Sequence, residues 1–284
     1  MTDKLTRFIF DQYNIRGVLV NLNQSLEDML SRQTYPDNLS QILKQAIAIN
    51  SLLATTLKFE GKISIQLQTP VGLKLLFAQT THEQTFRGII HYDENLDLSG
   101  MSFKDLTQQG QMAITIEPDK GQRYQGVVAL GESTLADCIE NYFFQSEQLK
   151  TRIFMFTQED KVSALLLQAL PDMSSDSDFE HLETLVDTLT ADEVFSLENQ
   201  DILHRLFHQE LVRNLDEEEV SFKCTCSREK MLGSITMLDE DEIEEILESE
   251  KHIKVECEFC RTAYDFDRIA IKEFLSVPGN ETRH

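Results

Sequence analysis

The stretch that decides the fold of this chain is residues 222–229, FKCTCSRE, taken together with the CEFC that ends at Cys260. Four cysteines fall in the pattern C-x-C-x30-C-x2-C. In an extended segment residues i and i+2 point to the same side, so Cys224 and Cys226 can reach one ion, and C-x2-C is a common zinc-binding spacing. Four thiolates form a structural tetrahedral zinc site. The pattern predicts one Zn²⁺ per chain, bound by Cys224, Cys226, Cys257 and Cys260.

The segment that carries these cysteines, residues 222–284, has few apolar residues for its length. An acidic helix is indicated at 239–250 and a last helix near 267–275. About 60 residues with so small a core do not readily fold unaided. Because the binding energy of the metal is folding energy in such a unit, loss of zinc should unfold it.

Two observations favour a redox role for this site, with a purely structural zinc as the alternative. Closely spaced thiolates repel one another without metal, and basic residues nearby can keep free thiolates ionised and open to oxidants. These basic residues are Lys223, Arg228, Lys230 and Arg261. A disulfide closed across one residue is geometrically tight and should be readily reduced, which suits a reversible switch.

Residues 1–172 alternate strand patterns with a few helical ones, which predicts an α+β domain built on an antiparallel sheet. A tight turn at Pro118–Gly121 is expected to join the last two strands as a hairpin. Apolar residues at helical spacing over 42–53 and 135–143 predict two helices packed on this sheet. The predicted strands are Gly17–Leu22, Lys62–Gln68, Leu73–Gln79, Phe86–Tyr92, Gln111–Glu117 and Tyr124–Leu130.

Residues 173–221 are predicted to form a helical linker between the two domains. The residues at its start, 172–178 (DMSSDSD), are polar and rich in Ser, as at a domain boundary. Helical patterns follow over Phe179–Leu189 and Asp201–Arg213, and the acidic run DEEE at 216–219 closes the section. The second pattern is expected to bury one apolar face, made of Ile202, Leu203, Leu206, Phe207, Leu211 and Val212. Short helices depend on docking for their stability. We therefore expect a conditional, metastable element ahead of the zinc domain.

The charge balance excludes several classes of partner. The chain has 26 Lys and Arg against 49 Asp and Glu, a formal net charge of −23. Nucleic-acid binders need basic patches for phosphates, so DNA and RNA are excluded, and anionic membrane surfaces are equally unfavourable. We find no run of about 18 apolar residues for a membrane span and no signal peptide at residues 1–12. A cytoplasmic protein is expected.

Three other candidate sites are expected to be ordinary residues. His204 and His208 lie four apart on a predicted helix, a spacing that can bind metal, but no third ligand is evident. Ser146 lacks a G-x-S-x-G context and is not expected to be a nucleophile. Cys138 lies on an apolar helical face, where free cysteine usually behaves as a small hydrophobe. No catalytic residue is predicted.

Six segments carry motifs that are shared with one known family. They are Arg16–Leu22, Tyr124–Val128, Tyr142–Gln148, Arg205–Glu210, Phe222–Glu229 and Cys257–Cys260. With these motifs the chain resembles, over nearly its whole length, the redox-regulated holdase chaperones, the thirty-three-kilodalton heat-shock proteins of bacteria. The two cysteine motifs together are the most specific part of this resemblance.

The resemblance implies an N-terminal domain that binds substrate and dimerises, a metastable linker and a zinc domain that acts as a redox switch. In the reduced state all four cysteines would hold zinc and the chaperone would be idle. Oxidation would pair Cys224 with Cys226 and Cys257 with Cys260, release zinc and unfold the linker. The active homodimer would then hold unfolding client proteins without ATP until an ATP-dependent chaperone system takes them. The client-binding surface is not predicted.

Two other functions compete with this one. A thiol-disulfide oxidoreductase could use Cys257 and Cys260, but such enzymes place C-x-x-C at the start of a helix, whereas here the strand-like Val255 leads into it. A zinc adaptor with constitutive partners is the second alternative. An oxidoreductase turns over insulin disulfides in catalytic amounts, an adaptor ignores peroxide, and a holdase prevents aggregation only after oxidation and at near-stoichiometric ratios.

Overall fold

The computed structural model describes residues 3–276 of the chain. Contacts between residues divide the chain into two compact units, with the boundary between Lys223 and Cys224. Each unit is described by itself.

The first unit contains two β-sheets and most of the helices. Its strands are β1 (Lys4–Phe10), β2 (Ile15–Leu22), β3 (Gly61–Gln68), β4 (Leu75–Thr81), β5 (Thr85–His91), β6 (Gln111–Pro118), β7 (Tyr124–Ala129), β8 (Thr151–Gln158), β9 (Lys161–Ala169), β10 (Val212–Glu219) and β11 (Ser221–Phe222). Its helices are α1 (Gln24–Leu30), α2 (Asp37–Ala54), α3 (Phe103–Leu106), α4 (Leu135–Tyr142), α5 (Asp176–Val186), α6 (Ala191–Ser196) and α7 (Asn199–Phe207).

The two sheets confirm the α+β class. The first sheet has the strand order β10-β1-β2-β9-β8 and is antiparallel throughout. The second has the order β11-β5-β4-β3-β6-β7 and is antiparallel except where β11 meets β5. The predicted hairpin is confirmed, because β6 and β7 pair on either side of the turn at Pro118–Gly121. Strands β1, β8, β9, β10 and β11 were not among the predicted ones.

The main core lies around α2, which contacts strands of both sheets. Pro36 precedes the helix, where its fixed φ and missing N–H do no harm, and Asp37 adds a negative charge to the first turn. Leu43, Ile47 and Leu52 are fully buried. Because α2 is buried on several sides, apolar residues cover more of its circumference than they do on a surface helix.

A second core forms where α5 and α7, called the linker helices because they lie in the predicted linker, cover the other face of the first sheet. The ring of Phe207 meets that of Phe10 edge to face at 4.9 Å and lies 5.8 Å from that of Phe8. Gly17 makes room for this arrangement, because a Cβ there would lie 2.1 Å from the ring of Phe8. The buried members are Phe8, Phe10, Ile15, Leu19, Leu165, Leu167 and Ala169 from the sheet and Phe179, Leu182, Val186, Ile202, Leu203 and Phe207 from the helices.

The helix predicted over Asp201–Arg213 is wrong in its second half. Helix α7 ends at Phe207, and the chain then enters β10, which pairs antiparallel with β1. Leu211, expected on the buried face, is 75% exposed. The acidic run at 216–219 is therefore part of a strand, because the edge of β1 offers it a hydrogen-bonded partner that is distant in sequence.

The second unit is small. It contains α8 (Arg228–Ile235), α9 (Glu240–Ser249), the antiparallel hairpin of β12 (His252–Glu256) and β13 (Ala263–Asp267), and α10 (Arg268–Leu275). The two helices expected near 239–250 and 267–275 are confirmed. The core consists of Leu232, Ile235, Ile243, Leu247, Ile253, Phe266 and Ile271. Such a core leaves the unit dependent on another source of stability.

Candidate metal centre

The four clustered cysteines come from two parts of the second unit. Cys224 and Cys226 lie in the irregular stretch before α8 and are half-buried. Cys257 and Cys260 lie in the turn that joins β12 to β13 and are 3% and 7% exposed. The hairpin therefore fixes the second pair, while the first pair reaches it from a distant part of the sequence.

The sulfur positions match a tetrahedral metal site. All four Sγ atoms lie within 4.8 Å of one another, with 3.6 Å between Cys224 and Cys257 and 3.4 Å between Cys226 and Cys260. Zinc–thiolate bonds of about 2.3 Å in a tetrahedron place the sulfurs about 3.8 Å apart. A disulfide bond needs about 2.05 Å, so the four thiols are free, as they must be to bind a metal. Among residues 3–276 this is the one group of metal-ligating side chains of this kind.

Hydroxyl groups support two of the sulfurs. The hydroxyl of Tyr264 on β13 lies 3.2 Å from Sγ of Cys226, and that of Thr262 lies 3.2 Å from Sγ of Cys260. Both can donate to a thiolate. The backbone of the turn is closed by the amide of Cys257, which donates to the carbonyl of Thr262 at 3.0 Å. Such partners orient metal ligands and tune their basicity. The sequence reasoning missed both hydroxyl residues, although they follow Cys260 by only two and four positions.

The thiols ionise unequally. Burial raises the pKa of Cys224 and of Cys257. Burial also opposes ionisation of Cys260, but hydrogen bonds from Thr262 outweigh it and lower the pKa of Cys260 to about 6. The hydrogen bond to Cys226 raises the pKa of Tyr264 to about 12. Because thiols bind metal as thiolates, binding to this group releases protons.

Three of the basic residues expected near the thiolates make other contacts. Arg261 pairs with Glu256 at 3.1 Å. Lys230 donates to the carbonyl of Thr225 at 2.7 Å. The guanidinium of Arg228 lies 4.4 Å from the centre of the Phe266 ring. Hydroxyl groups and backbone amides, rather than these cations, provide the described contacts to sulfur.

The remaining candidates lie apart from this centre. Cys138 is 3% exposed on α4, and burial raises the pKa of its thiol, which disfavours the reactive thiolate. His204 and His208 are exposed at the end of α7, and within the described residues they join no group of potential metal ligands. Ser146 lies on an exposed π-helical turn, Phe143–Glu147.

The position of the C-x-x-C motif also argues against an oxidoreductase site. Cys257 and Cys260 lie between two strands of a hairpin, not at the N-terminus of a helix, whose dipole and free N–H groups lower thiol pKa values in those enzymes. The four sulfurs of the centre could hold one ion.

The fold and this centre define a class: an α+β protein with a four-cysteine metal-binding cluster in a small C-terminal unit. The family model described as Hsp33 protein matches residues 3–267. The chain belongs to the Hsp33 family of chaperones.

Named relatives and a solved structure agree with this membership. The chain is 43% identical over 275 residues to the 33 kDa chaperonin of Shewanella sediminis, with 96% of each chain covered. It is 45% identical over 283 residues to that of Shewanella sp. strain ANA-3, with 99% of each covered. The crystal structure of the 33 kDa chaperonin from Thermotoga maritima has the same fold, with a TM-score of 0.82, 21% identity and 96% and 97% of the two chains covered. Across residues 3–276, every helix is too short or too polar to cross a membrane.

Proposed function

We propose that this protein is a redox-regulated, ATP-independent holdase chaperone that is idle while reduced and zinc-bound. The observation that carries the proposal is the group of four free thiols, all within 4.8 Å, in a unit with only a small core. Zinc bound by Cys224, Cys226, Cys257 and Cys260 would supply the folding energy that this core lacks. Oxidation of the ligands would withdraw that energy.

Hydrogen peroxide is the proposed oxidant of the four cysteines. Two zinc-bound thiolates give two electrons to one hydrogen peroxide, which with two protons from solvent forms one disulfide and two waters, so a chain consumes two peroxides and releases its zinc. We propose the pairs Cys224 with Cys226 and Cys257 with Cys260. Peptide mapping by mass spectrometry separates these pairs from the cross-pairs, Cys224 with Cys257 and Cys226 with Cys260, whose sulfurs lie 3.6 and 3.4 Å apart.

The linker helices supply the apolar surface that a holdase needs. Phe179, Phe207 and their neighbours on α5 and α7 cover a sheet face that includes Phe8 and Phe10. If the linker unfolds when zinc leaves, this face becomes accessible to unfolding clients. A contiguous exposed apolar patch of this kind is typical of a protein-binding surface, and the charge of −23 keeps the molecule soluble while the patch is open.

The remaining parts of the proposal concern partners and location. The clients are unfolded or partly folded proteins, the active form is a homodimer, and the clients pass to an ATP-dependent chaperone system. The protein acts in the cytoplasm during oxidative stress. It has no catalytic residues, and zinc, one per chain, is its cofactor.

Zinc release and client aggregation, measured in one sample, test this function. Peroxide at elevated temperature should release about one zinc per chain to a metallochromic dye, and light scattering of a heat-unfolded client should fall only after that release. Reduction in the presence of zinc should reverse both signals. Cys138→Ala, which lies outside the centre, should behave as the wild type. Zinc that stays bound, with unchanged scattering, would leave a structural zinc adaptor as the better account.

A further inference from the structure

Strand β10 occupies the edge of the first sheet with little apolar contact. Within β10 only Val212 and Glu218 are half-buried, and the other six residues are exposed. The strand that it covers is different in kind, because Phe8 and Phe10 of β1 are fully buried. The firmly anchored strand β1 is therefore paired at the sheet edge with the weakly anchored strand β10.

Apart from Val212, which packs against the core of Phe8 and Phe10, the described side-chain contacts between the two strands are ionic. Lys4 pairs with Glu217 at 2.7 Å, and Arg7 pairs with Asp216 at 3.0 Å and with Glu218 at 2.7 Å. Ion pairs at a protein surface contribute little and are screened by salt. The ladder itself is irregular between Thr6 and Phe8 of β1, and four successive carboxylates at 216–219 repel one another. Such an element has low local stability.

Both ends of β10 are nevertheless tied to buried parts of the unit. Before the strand, the carboxylate of Glu210 accepts hydrogen bonds from the hydroxyl of Tyr13 at 2.8 Å and from Gln12 at 3.1 Å, and it pairs with His181 of α5 at 2.8 Å. After the strand, Val220 is 3% exposed and its amide donates to a backbone carbonyl at 3.0 Å. The part of the first tie made by His181 runs through α5 and is lost when that helix undocks.

We propose that the edge of β1 is a binding site for an extended segment of an unfolding client, and that β10 occupies this site in the idle state. This inference rests on the proposed holdase function. A sheet edge presents unpaired N–H and C=O groups that accept an added strand of many sequences. Lys4 and Arg7 favour client segments that carry negative charge. The site therefore fits an extended segment in which apolar residues are followed by acidic ones, as Leu215 is followed by Asp216 and Glu217.

The first test uses the occupant itself as the probe. A fluorescent peptide of residues 210–220, ELVRNLDEEEV, is titrated with the full-length protein, oxidised or reduced and zinc-loaded, and anisotropy is recorded. We expect binding to the oxidised protein at least tenfold tighter than to the reduced protein, and at least tenfold tighter than that of a scrambled peptide. Equal binding of the scrambled peptide would overturn the proposal.

Backbone methylation shows whether the peptide binds as a strand. Two peptides are N-methylated at alternating residues in opposite phase, so that only one phase blocks the N–H groups that face β1. Loss of binding in one phase alone supports strand addition. Equal effects of the two phases overturn it, because a merely apolar or ionic contact does not depend on phase.

A charge-reversed variant opens the edge without oxidation. Asp216→Lys, Glu217→Lys and Glu218→Lys together turn the ion pairs with Lys4 and Arg7 into repulsion. The reduced, zinc-loaded variant should bind the peptide at least tenfold more tightly than the reduced wild type. Its control carries the same change of charge at exposed positions of α9, Asp241→Lys, Glu245→Lys and Glu248→Lys, and should bind as weakly as the wild type.

Failure of the inference and failure of the proposed function give different results. If oxidation prevents client aggregation but the peptide binds no better than its scrambled form, the holdase stands and the β1 site is wrong. If oxidation leaves aggregation unchanged while the reduced charge-reversed variant binds the peptide, the edge site stands and the holdase is wrong. If the peptide binds and splits an oxidised dimer into monomers, the edge belongs to a second copy of the chain, and the assignment to clients is overturned.

Discussion

At the scale of single residues, two hydroxyl groups help to decide how firmly the thiolates of Cys226 and Cys260 are held. Tyr264 and Thr262 stand 3.2 Å from the sulfurs of Cys226 and Cys260. A donor that fixes a thiolate in place favours metal binding, because the side chain then loses less conformational freedom when the ion binds. The same hydrogen bond lowers the nucleophilicity of the sulfur towards an oxidant. Small changes here should alter both affinity and reactivity.

Removing the hydroxyl of Tyr264 tests this role. Tyr264→Phe keeps the ring, which stacks on that of Phe266 at 6.4 Å, and deletes the hydrogen bond to Cys226. We expect zinc affinity to fall by about 10- to 100-fold, as is typical when such a partner is lost, measured by competition with a chromophoric chelator under reducing conditions. Tyr92→Phe, in the first unit, is the control and should leave the affinity unchanged. Equal affinities of both variants would show that the hydroxyl has no part in the centre.

At the scale of elements, an apolar face and the carboxylate of Glu210 are two of the contacts that hold the linker helices, beside ion pairs such as that of Lys150 with Asp176. The face consists of residues on α5 and α7 that meet the first sheet, and its two rings, Phe179 and Phe207, are 0% and 2% exposed. The carboxylate is that of Glu210, whose side chain is only 9% exposed. Short helices of this kind have little stability of their own, so docking is sensitive to either contact.

The apolar contact can be weakened without touching the metal centre. Phe207→Ala should cost about 3–5 kcal/mol of docking stability, as large-to-small core substitutions do. We expect the reduced, zinc-loaded variant to prevent client aggregation without any oxidant and to be cleaved within residues 173–211 by limited proteolysis. Phe144→Ala, the same change at a residue that is 70% exposed, is the control. A Phe207 variant that stays idle while keeping its zinc would contradict the role of linker docking.

The carboxylate contact should depend on pH. Burial opposes ionisation of Glu210, but hydrogen bonds from His181 and Tyr13 outweigh it, so its pKa lies below the ordinary value of 4.5. A lowered pKa in the folded state stabilises the fold above pH 4.5 and loses this effect as pH falls through the lower value. Glu210→Gln should therefore be less stable than the wild type at pH 7, by about 1.5–3 kcal/mol, and the difference should shrink below pH 4.5.

Chemical denaturation of both proteins at pH 7 and at pH 4 measures this difference. Glu180→Gln, an exposed position on α5, is the control and should show no such dependence. If Glu210→Gln and the wild type differ in free energy of unfolding by the same amount at both pH values, the effect comes from the shape of the side chain rather than from its charge.

At the scale of the whole molecule, stability is divided between two units of very different construction. The first unit has two large cores, around α2 and beneath the linker helices. The second has one small core and four thiols that could hold a metal. Loss of metal should therefore unfold the second unit and leave the central strands of the first sheet intact.

Zinc removal under reducing conditions tests this division. With a strong chelator and a thiol reductant present, we expect amide protons in residues 224–276 to lose protection from hydrogen exchange, because binding energy and folding energy are the same quantity in so small a unit. Amides of β2 and β9 at the centre of the first sheet should keep theirs. Restoring zinc should restore protection. A second unit that stays protected without metal would show that its apolar core suffices.

The sequence by itself determined the metal centre and the class of the fold. The spacings of Cys224 with Cys226 and of Cys257 with Cys260 are local, so they can be recognised without knowing how the two pairs meet. The alternating strands around the turn at Pro118–Gly121 and the apolar face of Ile202, Leu203 and Phe207 are local as well. Each of these is a property of neighbouring residues, and each is present in the structure.

Only the tertiary structure decided what the residues after Phe207 do and which hydroxyl groups serve the sulfurs. Val212–Glu219 has the composition of an exposed acidic segment, yet it forms a strand because β1, about 200 residues away in sequence, offers a free edge and the cations Lys4 and Arg7. Tyr264 reaches Cys226 because the β12–β13 hairpin and the stretch before α8 come together. Contacts between distant segments depend on how the whole chain folds, and local spacing does not record them.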